Sequence, residues 1–297
     1  SETRISMKKI DLHVHSTFSD GTLTPSELVD HALEMGLSAM ALTDHDTVDG
    51  ISEAVKAGIT KGLEIIPGIE LSTFYNNKEF HIVGLYIDYT DKAFKKELTA
   101  LRDVRQNRNI QICEAFHKLG IEINYDDMLK KYGNIVITRA HFADYLLEMG
   151  LVGSRNEAFD RYLGDNRPCN IPRKKMNPAN AIQLIKSTGG VPILAHPTLY
   201  HLGKEQLNKL IEYLCASGLV GIEGIYSTYT MGEELEIKNL AKKYNLILSG
   251  GSDYHGANKP KLELGIGYGH LCVPYDFLDI IKECALNIKN NKTEFNI

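Results

Sequence analysis

Short apolar segments alternate with amphipathic segments over the first 90 residues of this chain. Strands are predicted at residues 10–14, 39–42 and 65–71, and helices at residues 25–35 and 51–62, from the periods of their apolar positions. Two further strands, at residues 71–75 and 79–85, are separated by Asn76 and Asn77, which predicts a hairpin. This part of the chain is therefore interpreted as strand–helix units that end in a hairpin.

The alternation stops at residue 91 and resumes near residue 178. The intervening segment contains predicted helices and no clear strand; they span residues 91–119, 126–132, 139–149 and 156–162. Beyond it, helices alternate with strands predicted at residues 191–195, 221–225 and 246–249. Repeated βα units predict an α/β fold with a parallel barrel. We expect the barrel to comprise residues 7–90 and 178–297, with a helical insertion, or cap, at residues 91–177.

The composition is typical of a soluble globular protein, with 43% hydrophobic and 24% charged residues. No apolar run is long enough to span a membrane, and no signal peptide is visible. The five cysteines form no CxxC pair, which indicates reduced thiols, so we expect a cytoplasmic protein. The net charge of −5 argues against long nucleic acid as a partner. Neither a membrane nor an obligate protein partner is expected.

The arginines are unevenly distributed along the chain. Eight of the nine lie within residues 92–175, inside the predicted insertion. Arginine suits bidentate recognition of phosphate, although most of these side chains are expected on solvated helix faces. The insertion is therefore the part of the chain expected to contribute positive charge to a phosphate site.

Histidine and acidic residues follow the predicted strands. Asp11, His13 and His15 alternate along the first strand, so their side chains point to one face. Other such residues lie at or just beyond later strands, whose carboxyl ends meet at one rim of a parallel barrel. The candidate metal ligands are His13, His15, Asp20, His45, Glu70, His81, His196, Asp253 and His255. The alternative is a set of independent capping carboxylates and hydrogen-bonded histidines.

Nine imidazole and carboxylate ligands are too many for one ion, so we expect two or three divalent ions. Manganese, zinc and iron all accept this mixture of ligands. A carboxylate can bridge neighbouring ions, and coordination would compensate for the high cost of burying charged carboxylates.

Six motifs are similar to those of a known family. They are DLHVHSTFSDG, ALTDHDTVDG, PGIELS, FHIVG, ILAHP and GGSDYHG. Together they resemble the motif set of the polymerase and histidinol phosphatase (PHP) superfamily. The resemblance implies a distorted (β/α)7 TIM-like barrel that binds up to three divalent ions.

The resemblance also implies how the ligands are shared. One ion would be held by His13, His15, Glu70 and Asp253. A second would share Glu70 and add His81 and His196. A third would be held by Asp20, His45 and His255. Three further carboxylates would orient the imidazoles, namely Asp11, Asp44 and Asp46.

The insertion resembles the cap of the small-nucleotide phosphoesterases in this superfamily. Arg139, His141 and Arg173 match positions that would face the phosphate, although Ala140 stands where such relatives usually have proline. Residues 224–230 also lack an expected histidine. The implied reaction is hydrolysis of a phosphomonoester by metal-activated hydroxide, with His201 as a candidate proton donor to the leaving oxygen.

We therefore expect a small phosphorylated substrate, either a nucleoside monophosphate or a nucleoside 3′,5′-bisphosphate. Three alternatives remain open. A 5′→3′ exoribonuclease would use the same site with a longer cleft to trim short oligonucleotides. Histidinol phosphate is another substrate that the superfamily allows. The alternative outside enzymes is a metal-binding module without catalysis.

Overall fold

Strands and helices alternate along the barrel portions of the chain much as predicted. The computed structural model describes residues 7–133, 135–172 and 176–294. The strands are β1 (Lys9–Val14), β2 (Leu37–Leu42), β3 (Glu64–Tyr75), β4 (Lys78–Leu85), β5 (Val191–Leu194), β6 (Gly221–Tyr226), β7 (Ile247–Gly251) and β8 (Val273–Pro274). The helices are α1 (Pro25–Glu34), α2 (Ile51–Lys61), α3 (Lys92–Lys118), α4 (Tyr125–Tyr132), α5 (Arg139–Glu148), α6 (Arg155–Ala158), α7 (Pro178–Ser187), α8 (Lys204–Ala216), α9 (Met231–Lys243) and α10 (Asp276–Glu294).

All eight strands belong to one sheet, in the order β7-β6-β5-β4-β3-β2-β1-β8. Strands β1 to β3 are mutually parallel, and so are β5 to β7, whereas β4 runs antiparallel to both its neighbours. Just beyond β7, the Asp253 amide donates to the His13 carbonyl at 2.9 Å and the His15 amide donates to the Tyr254 carbonyl at 3.0 Å. The sheet is thereby nearly closed. The predicted distorted α/β barrel is confirmed, with a short eighth strand added.

Strand β3 is longer than predicted and continues through Pro67 and Gly68 into the hairpin. Gly68 allows this because a Cβ there would lie 2.9 Å from the Leu42 carbonyl oxygen, too close for any larger residue. Asn76 and Asn77 have positive φ values of 49° and 60°, as a two-residue hairpin turn requires. The predicted hairpin is confirmed, and its tip extends beyond the barrel sheet.

Buried side chains of the barrel form two apolar clusters. One contains Met40, Leu42 and Ile82 and packs against α1, α2 and α7 to α9. The other contains the intervening strand positions Ala41 and Val83 and packs against α10. Helix α10 was not predicted from the sequence. No helix in the described part of the chain is long and apolar enough to cross a membrane.

The segment between β4 and α7 is helical and contains a third cluster of buried side chains, drawn from residues 112–169. Phe94 and Leu98, in the first turns of α3, pack into the apolar cluster of the barrel. Polar contacts add to this packing. Arg105 of α3 forms a buried ion pair with Asp46 in the loop after β2. Arg155 donates to the Asn258 carbonyl at 2.6 Å. These contacts attach the helical segment to the loops at the carboxyl ends of the strands.

Replacement of Arg105 by Met should lower the free energy of unfolding by about 3–5 kcal/mol, because it removes the buried countercharge of Asp46. Arg102→Met is the matched control, since Arg102 pairs with Asp49 at 2.8 Å from the same helix but both side chains are over a third exposed. An exposed pair contributes about 0–1 kcal/mol. Urea denaturation measures both losses, and equal losses would contradict this assignment.

Candidate metal centre

The Glu70 carboxylate lies among five imidazoles at one rim of the barrel and is itself almost fully buried. Its oxygens lie 3.1 Å from His13 Nε2, 3.0 Å from His15 Nε2, 3.4 Å from His45 Nδ1, 2.8 Å from His81 Nδ1 and 3.0 Å from His196 Nε2. Strand direction explains this convergence. His81 is near the start of antiparallel β4, which lies at the same rim as the ends of β1 and β5.

A second carboxylate, Asp20, lies beside three imidazoles. Its Oδ1 is 3.0 Å from His255 Nε2 and 3.5 Å from His15 Nδ1, and its Oδ2 is 3.5 Å from His45 Nε2. His15 and His45 therefore each face Asp20 with one ring nitrogen and Glu70 with the other. The two carboxylate-centred groups are parts of one continuous cluster.

The two oxygens of Asp253 have different neighbours. Oδ1 faces the imidazoles, 3.4 Å from His13 Nε2 and 3.1 Å from His15 Nε2. Oδ2 accepts a hydrogen bond from the Tyr226 hydroxyl at 2.6 Å and another from Lys259 Nζ at 2.7 Å. The carboxylate is thereby held with one oxygen directed into the cluster.

The donor atoms fit divalent ions by position. Three groups each have their donor atoms within 4.8 Å of one another; they are His15, Asp20, His45 and His255, then His13, His15, Glu70 and Asp253, then His45, Glu70 and His81. Bonds of about 2.0–2.2 Å place two ligand atoms of a tetrahedral ion roughly 3.4 Å apart. The observed nitrogen–oxygen separations are close to that distance.

Unpaired ring nitrogens support the same conclusion. His15 Nε2, His45 Nδ1 and His196 Nδ1 are buried and have no hydrogen-bond partner among the described residues. His15 Nε2 is only 3.0 Å from a Glu70 oxygen, yet the geometry is not that of a hydrogen bond. Buried polar atoms are rarely left without a partner. The unpaired nitrogens of His15 and His45 face a Glu70 oxygen, and a cation bound between them would satisfy both atoms.

Charge is strongly coupled across the cluster. Burial opposes protonation of His15 and His81, but nearby carboxylates outweigh it and raise the pKa of His15 to about 9 and that of His81 to about 10. Burial instead lowers the pKa of His45 to about 4. Neighbouring imidazoles overcome burial to hold the pKa of Glu70 well below its usual range. In the absence of metal, protons on His15 and His81 therefore balance part of the carboxylate charge.

Glu223, in β6, is a further acidic residue of this site. It is not among the residues predicted from the sequence. Its two carboxylate oxygens each lie 3.0 Å from His13 Nδ1, and Oε1 also accepts a hydrogen bond from the His196 amide at 3.1 Å. Such a carboxylate fixes the tautomer and orientation of a metal-binding histidine. The available signal was an acidic residue inside an otherwise apolar predicted strand.

The three aspartates expected to orient imidazoles contact serines, a backbone amide and an arginine. Asp11 accepts from the Ser252 amide and hydroxyl, and Asp44 accepts from Ser16 and Ser19. Asp46 pairs with Arg105 and accepts from a backbone amide. These bonds hold the loops that carry the imidazoles.

A cavity of about 570 Å³, here called the arginine cavity, adjoins the cluster. His81 and His196 line one side of it, and Arg108 and Arg139 line it from the helical segment. Arg139 donates to the Leu163 carbonyl at 3.1 Å and lies 3.8 Å from Glu79. Exposed His201 also lines the cavity. Arg108 and Lys78 are further cationic residues of this cavity that the sequence pattern does not single out.

A second predicted substrate residue, His141, lies elsewhere. His141 lines a separate cavity of about 530 Å³ with Thr17, Phe18 and Asp144. Its Nδ1 accepts a hydrogen bond from the Thr138 amide at 2.8 Å, and burial lowers its pKa to about 4. Arg173 lies outside the described residues.

Comparisons with known proteins agree with this site. The PHP domain family matches residues 11–218. A 5′-3′ exoribonuclease of Haemophilus influenzae is 38% identical over 84% of this chain and 90% of its own length. A 3′,5′-nucleoside bisphosphate phosphatase of Chromobacterium violaceum is 32% identical over 87% of this chain and 91% of its own.

A solved structure from Bifidobacterium adolescentis, assigned as a metal-dependent phosphoesterase, has the same fold. It superimposes with a TM-score of 0.82 at 28% identity, covering 93% of this chain and 96% of that one. The predicted resemblance and the predicted hydrolase class are confirmed. The chain therefore belongs to the PHP domain family and is a metal-dependent phosphoesterase.

Proposed function

We propose that this phosphoesterase removes phosphate from a small nucleotide, either a nucleoside monophosphate or a nucleoside 3′,5′-bisphosphate. The observation that carries the proposal is the position of the arginine cavity. One side is formed by His81 and His196 of the ligand cluster, and the helical segment contributes Arg108 and Arg139. A phosphate placed there would meet the metal site and two guanidinium groups together.

The nine predicted ligands would hold two or three divalent ions, with manganese, zinc and iron all compatible with the donor set. Divalent ions in such a site lower the pKa of water and neutralise phosphoryl oxygens. Glu70 would be shared between ions, since its Oε2 faces His13 and its Oε1 faces His81. Glu223 orients His13, while Tyr226 and Lys259 fix Asp253.

The chain's own cations would bind and orient the substrate. Arg139 and Arg108 would contribute fixed positive charge from the helical segment, and the Nε of Arg108 is held by the Ile171 carbonyl at 2.8 Å. Such charge would stabilise the negative charge that develops on the phosphate oxygens during hydrolysis. His201 is exposed and lines the cavity, and it would donate a proton to the leaving oxygen. Its backbone has a positive φ of 50°.

A 5′→3′ exoribonuclease is the second candidate. Its support is the 38% identical relative from Haemophilus influenzae, which has that activity. The Chromobacterium violaceum relative acts on nucleoside 3′,5′-bisphosphates. Both activities require a nucleotide phosphate at the metal site. They differ in whether a single nucleoside or a longer RNA chain is attached to that phosphate.

Phosphate release from four substrates tests the proposal: a nucleoside monophosphate, a nucleoside 3′,5′-bisphosphate, a short 5′-phosphorylated RNA and histidinol phosphate. Each is assayed with manganese, zinc and ferrous iron. We expect phosphate from the two mononucleotides. Shortening of the RNA alone would replace the proposal with the exoribonuclease. No turnover of any substrate would favour the non-catalytic module.

Arg139→Gln should lower kcat/KM for the preferred nucleotide by about 100-fold, the loss expected for one fixed charge at a reacting phosphate. Metal content should not change, because Arg139 contacts none of the proposed ligands. Arg161→Gln is the matched control, since Arg161 is half exposed and pairs with Glu157. Equal effects of the two substitutions would exclude Arg139 from phosphate binding.

Metal binding to the metal-free protein should release protons at about pH 7.5, because ligating imidazoles must be neutral. The raised pKa values of His15, about 9, and His81, about 10, mean that both rings are protonated there. Apparent affinity for manganese should therefore rise as pH rises toward these values. Calorimetric titration in buffers of different ionisation enthalpy measures the release, and heats independent of buffer would contradict it.

A further inference from the structure

A second groove adjoins the arginine cavity at the tip of the β3–β4 hairpin. Asn77 and Lys78 line the arginine cavity, whereas Tyr75, Asn76 and again Lys78 line the groove, which has a volume of about 390 Å³. The loop after β5 separates the two on the other side, with His201 in the cavity and Leu202 in the groove. A ligand chain leaving the cavity past Lys78 would enter this groove.

The lining of the groove has the chemistry of a nucleoside site. Of the described residues that line it, the charged ones are Lys78 and Lys209, and Asn76 and Gln206 add side-chain amides. Lys209 also pairs with Glu205 at 2.7 Å, but both side chains are largely exposed, so a phosphate can compete for the ammonium. Its volume lies within the range of small-molecule sites, about 300–1,000 Å³.

Tyr75 provides a rigid aromatic surface in this groove. Its ring stacks on Tyr213 with centroids 4.3 Å apart and planes 7° from parallel. One face of Tyr75 is therefore already packed, which fixes the ring before any ligand arrives. Aromatic side chains held in this way are typical platforms for bases of single-stranded nucleic acids.

We infer that this groove binds the second nucleoside of a substrate whose terminal phosphate occupies the arginine cavity. The inference rests on the proposed nucleotide substrate and extends it to chains of two or more nucleotides. Tyr75 stacks the second base, and the amides of Asn76 and Gln206 contact its edge. Lys209 neutralises the phosphodiester between the two sites together with Lys78, whose ammonium also donates to the Tyr200 carbonyl at 2.5 Å. A mononucleotide does not reach the groove.

The test compares kcat/KM for a 5′-phosphorylated dinucleotide with that for a nucleoside 5′-monophosphate. Tyr75→Ala should lower the dinucleotide value by about tenfold or more, as expected for the loss of one stacked base, and leave the mononucleotide value unchanged. Tyr75→Phe keeps the ring and should retain both values. Equal losses for both substrates, or no loss for either, would overturn the inference.

Lys209→Ala supplies a second test that does not depend on packing, because Lys209 is largely exposed. It should lower the kcat/KM for the dinucleotide alone. Lys242→Ala, at an exposed lysine on α9, should lower neither value.

If the wild type hydrolyses neither substrate, the proposed function fails. Calorimetric titration with the same two nucleotides then tests the groove by itself, and a dinucleotide affinity insensitive to Tyr75→Ala would overturn the second site.

Discussion

The burial of Glu70 among five imidazoles is the constraint on which the rest of this site depends. A carboxylate at 1% exposure is stable only when positive charge surrounds it. Here that charge must come from protonated histidines or from bound cations, and the histidines arrive from β1, β4 and the ends of β2 and β5. The barrel must therefore be nearly closed before the cluster is electrostatically balanced.

The reversed strand β4 is a consequence of the same constraint. A strand parallel to its neighbours would have its carboxyl end at this rim. Antiparallel β4 instead begins there, and His81 is among its first residues. The hairpin also requires two consecutive residues with positive φ, which Asn76 and Asn77 supply. One local turn signal in the sequence thus determines both a proposed metal ligand and the wall shared by two cavities.

The sequence predicted the elements and the convergence of the candidate ligands because both follow from local periodicity and strand direction. It did not predict Glu223, because the contact of Glu223 with His13 joins residues more than 200 positions apart. It did not predict Lys259 either, because the contact of Lys259 with Asp253 depends on the conformation of a loop. Nor could it separate Arg139 from His141. Residues two apart on a helix point about 200° apart around its axis, so these neighbours line different cavities.

The division between barrel and helical segment gives a physical reason for related enzymes to differ in substrate. The nine proposed ligands all lie on barrel elements and their loops, where strand pairing fixes their positions. Arg108 and Arg139 lie on helices that form an apolar core of their own. Only the first turns of α3 also pack into the barrel cluster, and the pair of Arg105 with Asp46 adds a polar contact. Changes in that core can move the arginines without disturbing the charge balance around Glu70. Specificity for the group beyond the phosphate can therefore change while the hydrolytic site is kept.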